Sequence, residues 1–223
     1  MARLFLSYDT ETSGLPLFRE PSEHPDQPHI VQIGARLIDI DTRLPVLTLD
    51  TIIRPDGWSI PDAVAAIHGI DNRRALAEGL DEAVALAIVC DMWDRASFRL
   101  AYNETFDARI IRIGLMRHAG SAVADLWKEG DALCSARMAT PIVNMPPTDR
   151  MIAAGRAGPK MPKLAEACRH IIGADHVGAH SALADVDAST AIYWAILDRQ
   201  AGRSDEASAA PADRAQAMSG AAE

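Results

Sequence analysis

No stretch of this chain reaches the roughly 18 uninterrupted apolar residues that a membrane span requires. The amino terminus runs from Met1-Ala2-Arg3 straight into an apolar strand pattern rather than a signal peptide, so neither a membrane location nor secretion is expected. Cysteine is scarce: Cys90, Cys134 and Cys168 are the only ones, and no CxxC spacing occurs among them. That excludes a zinc ribbon or a disulfide framework and fits a reducing, cytoplasmic setting. Each cysteine sits among apolar residues, where packing is the expected role. No internal repeat is visible. Basic charge is also lacking, because the net charge is −9. Bulk charge therefore does not predict a phosphate binder, although acidic residues gathered around cations would reverse the local sign.

What the chain does have is a core's worth of apolar residues, 48% of 223. This is one domain, expected over residues 1–200, with a tail over 201–223 that lacks a periodic apolar face and is expected to be disordered. The organising stretch comes first. Leu4-Phe5-Leu6 opens a buried strand that runs into Tyr8-Asp9-Thr10-Glu11-Thr12-Ser13-Gly14-Leu15. Strand side chains alternate faces, so Asp9 and Glu11 project on one side at the strand's C-terminal end. Two carboxylates held that close disfavour each other's ionised form, and a hard divalent cation relieves the conflict. A solvated turn would carry the same residues.

The proline-rich loop over 16–28 leaves directly from the acidic pair, and His24 and His29 within reach of it are either substrate contacts or solvated loop histidines. Residues 30–40 and 44–53 are β-branched runs joined at Asp41-Thr42-Arg43, which predicts three consecutive antiparallel strands. Helical spacing follows over 61–67 and over 80–93, with Ala83, Val84, Ala87, Val89, Cys90 and Trp93 as the apolar positions. A short strand at 98–101 precedes a helix over 105–118 with Phe106, Ile110 and Ile113 as its buried stripe. Residues 133–138 fit a strand or a helix start. The segment 139–162 is rich in proline and glycine, and Arg150, Arg156, Lys160 and Lys163 make it the most basic part of the chain. Helices are expected over 164–172 and 182–199. Strands first, then helices interleaved with strands, predict an α/β sandwich around a mixed sheet.

Three acidic motifs then stand in order: Asp9-x-Glu11, Asn103-Glu104-Thr105-Phe106-Asp107, and His180-Ser181-Ala182-Leu183-Ala184-Asp185. Asp107 falls in the first turn of a helix that leaves a strand. His180 and Asp185 lie five residues apart and cannot share a helical face, so His180 belongs to the entering loop and Asp185 to the first turn. Asp187, two residues further on, is expected on the surface.

The ordered set DxE, NxxFD and HxxxxD resembles the DnaQ-like, or DEDDh, 3′→5′ exonucleases. Ile30-Val31-Gln32-Ile33-Gly34-Ala35, Ile67-His68-Gly69-Ile70 and Pro162-Lys163-Leu164 resemble further segments of that family, and the likeness spans residues 3–199. Tyr102 departs from the histidine many members carry there, and Ser13 from a common threonine. The resemblance implies an RNase H-like fold, a mixed five-stranded sheet flanked by helices, and two Mg²⁺ or Mn²⁺ ions held by Asp9, Glu11, Asp107 and Asp185. It further implies His180 as general base and a DNA 3′ end as substrate, with RNA as the alternative. Thr12, Leu15, His68 and Asn103 become the substrate-binding candidates, and Phe106 either stacks a base or packs in the core. Lys160 and Lys163 are candidates for the substrate backbone, and the tail for a polymerase or another replication or repair partner. A non-catalytic polymerase-bound scaffold is the rival reading.

Overall fold

The computed structural model describes residues 3–208. Five strands form one sheet: β1 (Leu4–Thr12), β2 (Ile30–Asp39), β3 (Pro45–Ile52), β4 (Phe98–Ala101) and β5 (Asp131–Cys134). Their spatial order is β3-β2-β1-β4-β5. The β1–β2 and β2–β3 pairs are antiparallel, whereas β1–β4 and β4–β5 are parallel. The hairpin between β2 and β3 closes at Arg43, whose φ is 59°, with its N–H bonded to the Asp39 carbonyl. The mixed five-stranded sheet is the expected one, and β1 lies at its centre.

A central strand is covered on both faces, and β1 accordingly reads as a continuous apolar run before its acidic end. Leu4, Leu6 and Tyr8 pack with Leu86, Val89, Ile110 and Ile111, from α3 (Glu82–Asp94) and α4 (Glu104–His118). Phe5, between them, faces Tyr193 of the last helix, and Ser7 accepts a hydrogen bond from Thr190 of the same helix. Two short helices, α1 (Asp62–His68) and α2 (Asn72–Glu78), precede α3, and α5 (Gly120–Leu126) follows α4. After β5 come α6 (Ser135–Val143), α7 (Asp149–Ala153), and α8 (Leu164–Ala167), which continues as a π-turn over Cys168–Ile172. The final helix, α9, spans Ala182–Ser208.

Three details differ from the sequence reading. The 133–138 segment is both things at once, the end of β5 and the start of α6. Helix α9 runs past Arg199 to Ser208, since alanines and alternating charges sustain a helix without an apolar face. The rest of the expected tail lies outside the described residues. In α3, the buried positions are Glu82, Ala85, Leu86, Val89 and Met92, while Val84 and Ala87 are exposed. That helix carries apolar residues on every side, so periodicity does not select its buried face. A buried polar residue, Glu82, marks it instead.

Candidate active site

Two close approaches bring distant carboxylates to the C-terminal end of β1. Asp9 pairs with Gly34 across the β1–β2 ladder, and Glu11 pairs with Gln32. A Cβ on Gly34 would lie 2.4 Å from backbone atoms of Ala182 and Leu183, so only glycine lets α9 start there. Gln32 completes the dock by accepting the Ala182 N–H at 3.2 Å. The first turn of α9, with Asp185, is thereby seated against the strand residues opposite Asp9 and Glu11.

Asp107 arrives from the other layer. Helix α4 begins beside the end of β4, after Asn103 in a left-handed conformation (φ 64°), which asparagine tolerates better than most residues. One turn in, the Asp107 carboxylate is 2% exposed and accepts the Thr10 amide at 3.0 Å and the Thr10 hydroxyl at 2.8 Å. Thr10 sits between Asp9 and Glu11, so these two bonds tie the second motif to the first. Glu11, His180 and Asp185 each offer a ligand atom within 4.8 Å of one another.

This gathering has an electrostatic cost. Burial, and then the charges of Asp107, Asp185 and Glu11, hold the Asp9 carboxyl well above the usual carboxylate range. Burial and then Asp185 push Glu11 up to about 7. For Asp107, burial outweighs the two Thr10 hydrogen bonds and raises it to about 8. Raised values mark carboxylates short of positive charge. Oxygen donors in this number and proximity suit a hard divalent cation, and the residues present fit such an ion.

The flanking residues complete the picture. His180 is exposed in the loop before α9, with φ 66°, and reaches the cluster as expected. A cleft of about 520 Å³ opens beside it, lined by Tyr102, Asn103, Met161, Lys163, His176 and Asp185 among others. His68 accepts the Ile70 N–H through Nδ1 at 3.2 Å, a turn-closing bond, while its Nε2 is buried without a partner. Burial and then the nearness of His180 lower its pKa, which brings it to the same site. Thr12, the last residue of β1, donates to the Gly14 carbonyl at 2.8 Å, and Leu15 is 79% exposed on the loop that follows. Tyr102, in place of the family's histidine, donates to the Pro162 carbonyl at 2.7 Å and so ties the β4 end to the cleft wall.

Several candidates serve the fold instead. His29 is half-buried rather than a free loop histidine: its ring stacks on Trp58 at 4.4 Å and faces Glu82 and Arg117. His24 accepts the Asp26 N–H within its own turn. Lys160 is paired with Glu166 at 3.1 Å, leaving Lys163 to the cleft. Phe106 is half-buried against the main core. Asp187 is bound by Arg36 through two nitrogens at 2.5 and 2.8 Å, a surface role as expected.

The residue that sequence reading missed is His176. Its side chain is only 5% exposed, and its Nε2 lies 2.5 Å from Asp185 Oδ1. It stands in an irregular segment, nine residues before its partner, where no periodicity points to it. A second histidine shortly before His180 was the only signal available.

The chain's sequence matches the model of the exonuclease (RNase T) family over residues 6–193. This chain belongs to the exonuclease family. The DnaQ-like resemblance of its three acidic motifs is thus borne out, as is the RNase H-like sheet. Solved structures agree on the fold. E. coli exonuclease I in complex with a dT13 oligonucleotide superposes with a TM-score of 0.69 at 22% identity, over 92% of this chain and 43% of that one. A product-bound exonuclease I gives a TM-score of 0.67 at 21% identity, over 92% and 46% respectively. The chain therefore spans less than half the length of the exonuclease I chains it matches. No curated protein matches it. Among the described residues, no helix of this family member is long and apolar enough to cross a membrane.

Proposed function

We propose that this exonuclease-family chain hydrolyses phosphodiester bonds in the 3′→5′ direction, from single-stranded or frayed DNA ends, releasing nucleoside 5′-monophosphates. The observation that carries the reading is the convergence of Asp9, Glu11, Asp107 and Asp185 on one strand end, with Asp9, Glu11 and Asp107 held above their ordinary pKa. Two Mg²⁺ or Mn²⁺ ions would be held by those four carboxylates, and when bound would supply the positive charge that the attacking and leaving oxygens need.

The chain's own residues do the rest. His180, exposed at the rim of the cluster, takes a proton from the attacking water on a ring nitrogen. His176 donates its Nε2 hydrogen to one oxygen of Asp185, which turns the other toward the shared centre. Thr12 and Leu15, at the exit from β1, meet the terminal nucleotide. Asn103 and the unpartnered Nε2 of His68 border His180 and face the phosphate. Lys163 contributes positive charge on the cleft wall. DNA rather than RNA is favoured because the similar exonuclease I structures hold dT13 and dA16 oligonucleotides. The polymerase contact ascribed to the tail falls, from residue 209 on, outside the described residues.

The test is a set of 5′-labelled single-stranded DNA, matched and mispaired duplex, and single-stranded RNA, each with Mg²⁺, Mn²⁺ or EDTA. A ladder shortening from the 3′ end, blocked by a 3′ cap and by EDTA, is the expected result. Cutting of a circular strand, or equal digestion of 3′-blocked DNA, would refute it. RNA digested in preference to DNA would reassign the substrate.

A further inference from the structure

The loop that leaves the acidic strand displays the most exposed aromatic ring among those described. Of the four phenylalanines, Phe5, Phe98 and Phe106 pack in the core, while Phe18 is 60% exposed. It is not alone, since Leu15 is 79% and Leu17 39% exposed on the same short segment. An apolar surface of this kind, in a chain with so few aromatics, calls for a ligand.

The loop is also built to hold that surface still. Glu20 N–H bonds the Leu17 carbonyl at 3.0 Å, so Phe18 and Arg19 are the two corner residues of a β-turn. Beneath the turn lies Gln27, 2% exposed, whose side-chain amide works as an internal staple. Its Oε1 accepts the Leu17 N–H at 3.0 Å, and its Nε2 donates to the carbonyls of Leu17 at 3.1 Å and Pro21 at 2.9 Å. Helix α4 holds the same loop from outside, Arg109 binding the Glu20 carbonyl and Arg117 the Gln27 carbonyl. Arg109 is two residues from Asp107, so the Phe18 turn sits at the end of α4 nearest the acidic cluster. A loop this well tied has already lost the freedom that binding would otherwise cost it.

We propose that Phe18 is a stacking platform for a base of the single strand upstream of the terminal nucleotide, with Arg19 beside it for a phosphate. The inference rests on the exonuclease reading above and adds to it a site outside the metal cluster. Three features favour this occupant. The turn is continuous with Thr12 and Leu15, the side chain is 60% exposed on a rigid support, and its neighbour is cationic. Aromatic rings interleaved with basic residues are how single strands are held without sequence preference.

The test measures binding in EDTA, where nothing is cleaved, by anisotropy of labelled dT12 and of labelled dTMP. Phe18→Ala is expected to weaken dT12 by about 5-fold or more, within the range of one lost base stack. The mononucleotide dTMP, which has no upstream base, is expected to bind the variant and the wild type alike. Phe18→Trp should restore dT12 binding, and Phe18→Leu should not, because leucine is apolar but has no π face. With Mg²⁺ and saturating DNA, Phe18→Ala should keep the wild-type kcat and raise KM. Equal dT12 binding by Phe18→Ala, an equal loss on dTMP, or full rescue by leucine would overturn the platform while leaving the exonuclease reading intact. A wild type that binds dT12 through Phe18 yet digests nothing would overturn the exonuclease reading and keep the platform.

Discussion

Glu82 and the carboxylates at the end of β1, all shielded from solvent to a large degree, have opposite fates. Glu82, 6% exposed on α3, lies 3.0 Å from His118 and 3.8 Å from His29, with Arg117 close by. Burial alone would raise its pKa, but the neighbouring His29, the His118 hydrogen bond and the nearby Arg117 hold it below its usual value. Asp107 is buried and Asp9 and Glu11 are half-buried, and desolvation together with neighbouring carboxylates raises all three. The first arrangement finds its basic partners within the protein, at one oxygen of Glu82, while Oε1 is buried without a hydrogen-bond partner. The second lacks its positive charge, which is how a site made to receive cations differs from one that only holds the fold together. Glu82 braces the segment that bears His29, and Ser13 at the site end of β1 exchanges two hydrogen bonds with His29. The carboxylate with basic neighbours therefore supports the group that lacks them.

That contrast can be broken from either side. The largest effect is expected from His180→Ala, which should lower turnover by roughly 10²–10⁴-fold while metal-induced stabilisation persists, because the imidazole is assigned to proton transfer. Near-normal activity of that variant at neutral pH would remove His180 from its role. His176→Ala comes next. Loss of the hydrogen bond to Asp185 should weaken Mn²⁺ binding by roughly 10–100-fold, read by calorimetry without substrate, with partial recovery in His176→Asn. Unchanged Mn²⁺ affinity would leave His176 as a packing residue only.

The smallest and most diagnostic effect is on stability in EDTA. Glu82→Gln should destabilise the fold by about 1–3 kcal/mol, since it strips charge from a buried paired group. Asp107→Asn keeps the shape and the acceptor for Thr10 yet removes one repelling charge, so it should melt at the same temperature or higher while losing activity. The pH dependence separates them further. For groups raised to about 7 and about 8 when folded, the native state holds protons that the unfolded chain has released. Their contribution is present below pH 4 and is lost as pH rises to about 8, so metal-free wild type should lose stability over that window. Glu82, lowered on folding, has the opposite sign and loses its contribution as pH falls through the acid range. Mg²⁺ or Mn²⁺ should flatten the alkaline-side loss, and Asp107→Asn should show a shallower slope even in EDTA. A wild-type slope indifferent to both would mean that the four carboxylates do not share one site.

Local chemistry determined the parts that sequence alone could yield. Alternation put Asp9 and Glu11 on one face, the helix start after Asn103 carried Asp107, and five-residue spacing separated His180 from Asp185. Those facts depend only on neighbours along the chain. What tertiary structure decided depends on contacts between distant segments. Gly34 reads as one more strand residue until the backbone of Ala182 lies against it. Helix α3 hid its buried face because apolar residues surround it, and Glu82 became a core residue only through partners at positions 29 and 118. His29 looked like a loop histidine and proved to be part of that brace. His176 had no pattern of its own, and its place beside Asp185 follows from how residues 173–181 wrap around the start of α9. Periodicity and motif spacing record short-range geometry, whereas the partner of a buried polar group is chosen by packing.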